Sequence, residues 1–380
     1  MSELLPCQRA LFDIPHDVAY VNCAYLSPLM RSVAAAGHEG VDRKVHPWQI
    51  TRREFYAELD DVRAGFAGLI GATAGDVAIV PSSSYAAATA AANIKLASGQ
   101  TVVVIEGEHG SNVRIWHHLA RDSGASVITV GRPAGDDWTS AVLAAITSRT
   151  GIVALPPLHW TDGSTLDLVA IGARAREVGA AFVVDATQAV GAVPVDVRAL
   201  KPDFLMCSAY KWLLSPYSIG FLYAAPHRQS GRPLEQHSFN RLGAKQSEGA
   251  TDYPEPFEPG ARRYDVGERS NFILLPMLKV ALGQLKAGGP ARIGATIAAL
   301  TARIADAAVS RGFTVPDARH RSPHIIGLTR PGQPLPRDLA QRLAARKVYV
   351  SIRGPAIRVS PHVYNTEADI DRLIAALGEI

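Results

Sequence analysis

Between about residues 58 and 223, short apolar runs alternate with alanine-rich stretches of helical character. The runs lie near residues 77–80, 102–105, 127–130, 152–155, 182–184, 204–206 and 219–223. Helical stretches at 86–96, 140–147 and 168–178 separate several of them. Runs this short and this apolar read as strands buried on both faces, and helical crossovers between them require parallel pairing. The pattern therefore predicts an α/β fold, a mostly parallel sheet with helices on both faces.

The flanking sequence predicts less regular structure. Residues 1–20 read as an arm leading into a strand at 18–22, and 28–61 as helix interrupted at Pro47. Residues 226–263 are irregular and rich in proline, glycine and charge, the composition of a lid or a subunit contact. Helices are expected at 272–285 and 291–311, split by Gly288-Gly289-Pro290, and then at 337–345 and 367–377. Strands are expected near 324–328, 348–352 and 357–360, which makes the end of the chain a smaller α+β domain. The division predicted is an arm at 1–20, a large domain at 21–265 and a small domain at 266–380, to which the arm contributes.

Composition narrows the function. A net charge of +4 over 380 residues, with arginines dispersed, indicates neither a nucleic-acid nor a membrane partner. Cys7, Cys23 and Cys207 form no CxxC pair and are odd in number, which argues against a disulfide framework or a structural zinc site and fits a reducing cytoplasm. The first residues carry acids and lack a long apolar stretch, so they do not read as a signal peptide. No apolar run is long enough to cross a membrane.

In an open parallel sheet, ligands bind beyond the carboxyl ends of the strands, and polar residues gather there. Pro81-Ser82-Ser83-Ser84 follows the first run and opens a helix, where hydroxyls and free N–H groups suit a phosphate. On this stretch alone a plain serine N-cap is the commoner reading. Glu106-Gly107-Glu108-His109 follows the second run and brings a ring to the same edge, although a lone loop histidine is more often structural. His117 and His118 read as helix surface. His159-Trp160-Thr161-Asp162-Gly163 follows the fourth run.

Two further runs deliver the decisive pair. The run at 182–184 ends in Asp185, with Gln188 one turn later, and the run at 204–206 leads to Ser208 and Lys211. Lysine is scarce here, and Lys211 alone follows a buried-looking strand and lies between aromatics, Tyr210 and Trp212. A lysine is costly there unless its amine is used. An Asp–Lys pair can be a buried ion pair without chemistry. Five strand ends that together carry phosphate, stacking, proton and amine functions fit pyridoxal 5'-phosphate instead. Lys211 would form an imine with its aldehyde, and Asp185 would keep its pyridine nitrogen protonated.

The segments VVDATQAVGAVPVDV and SAYKWLLSPYSIGFLY resemble the class-V aminotransferase family, and the likeness extends over nearly the whole chain. That family, with an aspartate-aminotransferase-like large domain, includes cysteine desulfurases, selenocysteine lyases, kynureninases and isopenicillin N epimerase. The resemblance implies that Lys211 carries the cofactor, Asp185 contacts the ring nitrogen, Gln188 approaches the phenolic oxygen and His109 stacks on the ring. Ser83, Ser84, Ser208 and Tyr210 would hold the phosphate, and Arg358, in IRVSPHVYNTEADID, would clamp the substrate carboxylate.

Departures from the family pattern matter as much. VSIRGPAI before Arg358 is short and has no cysteine, which argues against persulfide-forming desulfurase chemistry. Trp160 stands where many relatives have an asparagine near the cofactor oxygen. YDVGERSN replaces the Gly-Thr by which a neighbouring subunit reaches the phosphate, leaving Ser270 or Asn271 for that contact. The expectation is a cytoplasmic homodimer acting on a small amino acid, with Asn22 and its neighbours and the 226–263 loop shaping the pocket. Transamination comes first, a C–S or C–Se lyase second and epimerisation third. A non-catalytic cofactor-binding regulatory module is the remaining reading.

Overall fold

The computed structural model of the chain describes residues 4–246 and 254–379. The part of the 226–263 loop at 247–253 lies outside the described residues. The arm contributes β1 (Ala19–Tyr20), and the large sheet begins with β2 (Val77–Val80) and β3 (Thr101–Ile105). It continues with β4 (Ser126–Val130), β5 (Thr150–Leu155), β6 (Ala181–Asp185), β7 (Phe204–Ser208) and β8 (Gly220–Ala224). The strand order is β2-β8-β7-β6-β5-β3-β4, and only β8 runs antiparallel to its neighbours. β4 closes one edge and is partly exposed, whereas the other six strands are buried throughout.

Alternating residues along each strand feed two separate cores, as the period of two demands. Val103, Val153, Phe182, Val184 and Leu205 pack on one face, while Val102, Ile152, Val183, Phe204 and Met206 pack on the other. The helices before the sheet are α1 (Arg31–Val45) and α2 (Leu59–Ile70), separated by two short 3-10 turns, the first opened by Pro47. Next come α3 (Ser83–Ala92), α4 (Arg114–Ser123), α5 (Trp138–Ala145), α6 (Leu168–Glu177) and the single turn α7 (Val197–Leu200). Alanines of α3 and Trp116 of α4 cover the second face; Phe66 of α2, Trp138 of α5 and Ile171 of α6 cover the first.

Beyond the large sheet, α8 (Leu274–Gly288) packs on α1 and α2, and its apolar side chains belong to the first core. α9 (Pro290–Val309) bridges two cores, with Ile293 and Ile297 in the first and Ile304 and Ala308 in a third. That third core gathers β9 (Ile326–Leu328), α10 (Leu339–Ala345), β10 (Val348–Tyr349), β11 (Ser351–Arg353), β12 (Ala356–Val359) and α11 (Glu367–Leu377). One strand was expected at 348–352, but two form with different partners. β10 pairs parallel with β1 of the arm, and β11 pairs antiparallel with β12. β9 completes the order β11-β12-β9. Among the described residues no helix is long and apolar enough to cross a membrane.

Candidate active site

The carboxyl ends of β2, β3, β5, β6 and β7 converge on a cavity of about 220 Å3. Its lining includes Ser83, Ser84, His109, Trp160, Asp185, Gln188, Ser208, Tyr210 and Lys211, residues singled out from the sequence. A second chamber of about 560 Å3 adjoins it, sharing His109, Trp160, Tyr210 and Lys211 and adding Ala24, Tyr25, Leu26, Arg353 and Arg358. Ala24 and Arg358, at opposite ends of the chain, thus face one space.

Lys211 sits in the turn after β7 and is 8% exposed. Burial pushes its amine down to about 8; Asp185 opposes that shift and Arg358 adds to it. Asp185 ends β6, and its Oδ1 accepts the N–H of Thr187 at 3.0 Å. That local bond fixes the carboxylate at the strand end instead of leaving it to rotate. Gln188 is held at both ends: its Nε2 donates to Ala24 O at 3.2 Å and its Oε1 accepts Trp212 Nε1–H at 2.8 Å.

One end of the cavity is a cluster of hydroxyls at the N-terminus of α3. Ser82 caps the helix by accepting Tyr85 N–H, and Ser84 Oγ lies 2.9 Å from Ser82 Oγ. Ser83 Oγ lies 2.6 Å from Ser208 Oγ and 3.0 Å from Thr187 Oγ1. Ser82 is thus the N-cap, and Ser83 and Ser84 line the cavity. Hydroxyl donors beside the first N–H groups of a ten-residue helix make a surrounding suited to an anion such as phosphate.

His109 begins a short 3-10 turn, and its Nδ1 accepts Ser111 N–H. Burial lowers its pKa, the Lys211 charge lowers it further, and the ring meets Trp160 edge-on at 5.6 Å. Trp160 donates Nε1–H to Gly107 O at 2.8 Å. His159 lies behind the cavity, stacked on Trp138 and bonded through Nε2 to Glu106 O. Burial pushes the Tyr210 phenol up to about 12, and its ring lies tilted against Tyr217 with centroids 4.3 Å apart.

Arg358 is 1% exposed yet faces the chamber, donating Nη1–H to Trp160 O at 3.0 Å. Two expected residues lie apart from the cavity of their own chain. Asn22 Oδ1 accepts Ser351 Oγ–H and braces the β11 hairpin, while its neighbours Ala24–Leu26 reach the chamber. Asn271 Oδ1 accepts the N–H groups of Ile273 and Leu274 at the start of α8; its expected contact was with a partner subunit's phosphate.

Thr187, Glu108 and Arg353 are among the lining residues that were not singled out. Thr187 lies inside the DATQ segment, between two residues that were, and its hydroxyl was the available signal. Glu108 keeps partial exposure, yet its Oε2 is shielded and has no hydrogen-bond partner. Burial and the Asp185 charge push the Glu108 carboxyl up to about 8. Arg353, five residues before Arg358, lines the outer chamber. The donor set fits pyridoxal phosphate: a hydroxyl cluster, a fixed carboxylate, an imidazole and a buried amine of lowered pKa line one cavity.

The aminotransferase class-V family model matches residues 35–373. An uncharacterized aminotransferase of Bacillus subtilis (strain 168) is 26% identical over 341 residues, 85% of this chain and 84% of its own. Isopenicillin N epimerase of Streptomyces clavuligerus is 27% identical over 357 residues, 88% of this chain and 87% of its own. The solved structure of a cysteine desulfurase from Thermococcus onnurineus NA1 aligns with a TM-score of 0.85. It covers 100% of this chain and 99% of that one at 20% identity, a likeness of fold. A family match of that span, carried on a fold shared from end to end, makes the chain a member of the class-V aminotransferases, enzymes that work through pyridoxal phosphate.

Proposed function

We propose that this enzyme is an aminotransferase acting at Cα of a small amino acid. The reading rests on one observation: Lys211 stands where the two cavities meet, with Asp185 and the hydroxyl cradle on one side and Arg358 on the other. That is the arrangement needed to hold a cofactor and to present an α-amino acid to it. When bound, pyridoxal phosphate supplies an electron sink for the carbanion left when Cα loses its proton.

Each side chain then has a physical task. Hydroxyls of Ser83, Ser84, Thr187, Ser208 and Tyr210 would hold the phosphate, and Asp185 would keep a proton at the ring nitrogen. His109, kept neutral near pH 7 by burial and by Lys211, is suited to stack on an aromatic ring. Gln188 would offer its remaining amide hydrogen to the phenolic oxygen. Lys211 would hold the cofactor and would carry the proton of the substrate Cα, a task matched to an amine pKa of about 8. Arg358 receives the substrate carboxylate.

The cysteines support transfer over persulfide chemistry. Cys23 is buried, its Sγ lies 4.0 Å from Lys211 O, and burial holds the thiol protonated far above its usual range. Cys207 is also buried and held protonated by burial, and Cys7 lies outside both cavities. The proposal extends to a cytoplasmic homodimer, supported by exposed Tyr25, Leu26 and Tyr217 at the chamber rim. The deciding assay incubates the holoenzyme with single amino acids, with and without a 2-oxo acid acceptor. Amino transfer that requires the acceptor is expected. Keto acid and sulfide formed without it would replace the proposal with elimination.

A further inference from the structure

Two arginines face the outer chamber, and one α-carboxylate needs only one of them. Arg353 ends β11 and Arg358 lies on β12, where Ser351 pairs with Arg358 and Arg353 with Ala356. Directly paired residues of an antiparallel ladder project to the same face, as do residues two apart, so both arginines stand on one face of the hairpin. Diagonal neighbours of this kind sit roughly 7–8 Å apart at the backbone. Their guanidinium carbons lie 5.4 and 5.7 Å from the Trp160 ring centroid, and Arg353 also lies 5.7 Å from the Tyr25 ring.

Neither cation is neutralised. Among the described residues no carboxylate pairs with Arg353 or Arg358, and no acid lines the outer chamber. Arg353 spends one N–H on the carbonyl of Ile352, and the buried Nε of both arginines has no partner. The two charges repel: after burial, Arg353 is the strongest influence lowering the Arg358 pKa. Arg358 spends one N–H on Trp160 O and another on Ser351 Oγ, both neutral acceptors, so two guanidinium groups without a carboxylate partner, on an aromatic floor, make a receptor for two anionic groups.

We propose that the substrate is a dicarboxylic amino acid, its α-carboxylate on Arg358 and its side-chain carboxylate on Arg353. This rests on the functional reading above, since it assumes a cofactor held at Lys211. Both guanidinium groups reach the Trp160 ring, so the two carboxylates of one short acid would lie over that ring. Arg353 would then choose among substrates, whereas Arg358 would engage every amino acid.

The test titrates reconstituted holoenzyme with L-glutamate, L-aspartate, L-glutamine, L-asparagine and L-alanine, reading affinity from the visible spectrum and from calorimetry. The acids should bind roughly 10- to 100-fold more tightly than their amides, the range expected for one charge-assisted contact. Arg353→Gln should collapse that ratio toward one, Arg353→Lys should restore part of it, and Arg358→Ala should weaken acids and amides alike. Equal binding of acids and amides by the unaltered enzyme overturns the inference. So does an Arg353→Gln enzyme that loses acids and amides by the same factor, which would place both arginines on one carboxylate. A protein that takes up no cofactor fails the underlying reading, and the inference falls with it.

Discussion

Lys211 shows how burial alone prepares a residue for chemistry. An ordinary lysine at pH 7 is neutral in roughly one molecule in three thousand, whereas an amine near 8 is neutral in about one in ten. Only the neutral amine attacks a carbonyl. The rate at which apoprotein takes up pyridoxal phosphate should therefore climb about tenfold per pH unit below 8 and level off above it. Absorbance after mixing reads this directly, and a rate still climbing at pH 10 would contradict the assignment. Lys211→Ala should abolish both the band and the activity. The sign for stability follows from the same shift: between about 8 and 10.5 the unfolded chain binds a proton that the native lysine releases, so this contribution weakens as pH falls through that window.

At the scale of elements, the site depends on how loops are tied down. Gly163 has φ +83°, and a Cβ there would meet the carbonyl oxygen of Ile325 at 2.1 Å. Ser322 N–H donates to Gly163 O and Gly327 N–H to Asp162 O, so the Trp160 loop is stitched to β9 at close range. The segment 226–265 is anchored just as firmly at its end. Buried Asp265 accepts Ile79 N–H from β2 at 2.8 Å and pairs with Arg63 of α2 and with Arg269. Removing one partner of such a buried group strands the other charges, which costs about 3–5 kcal/mol. Asp265→Ala should lower unfolding stability by about that amount in urea titration. A loss below about 1 kcal/mol would mean that solvent reaches the pair.

For the molecule as a whole, two buried histidines pack against Trp212 of the first core. Trp212, next to Lys211, packs against His324 at 4.5 Å and His362 at 5.7 Å, and both imidazoles are fully buried. Burial pushes His324 down to about 4 and His362 to about 3, with His324 adding repulsion on His362. His324 Nε2 meets Gln188 O at 2.5 Å. Because the native state refuses protons that the unfolded chain accepts below about 6.5, stability should fall as pH drops, by about 4 kcal/mol in total between pH 7.5 and 5. His362→Phe should remove roughly half of that loss. An unchanged pH slope in that variant would show that other groups carry the acid sensitivity.

The sequence by itself determined the sheet and the heart of the site. Buried strands need uniformly apolar runs, crossovers need helices, and ligands gather at strand ends, so Asp185, Ser208, Lys211 and the serine triplet were legible from local pattern alone. The split of 348–352 into β10 and β11 was not, because pairing with the arm and with β12 is a long-range choice that leaves no period in the sequence. Nor was Glu108, whose raised pKa comes from burial beside Asp185, a neighbour 77 positions away in the chain. Arg353 looks like any exposed arginine until the hairpin sets it beside Arg358 above Trp160. Charge environment and the meeting of distant segments belong to the fold in three dimensions, and in this enzyme they bear on what the lysine acts upon.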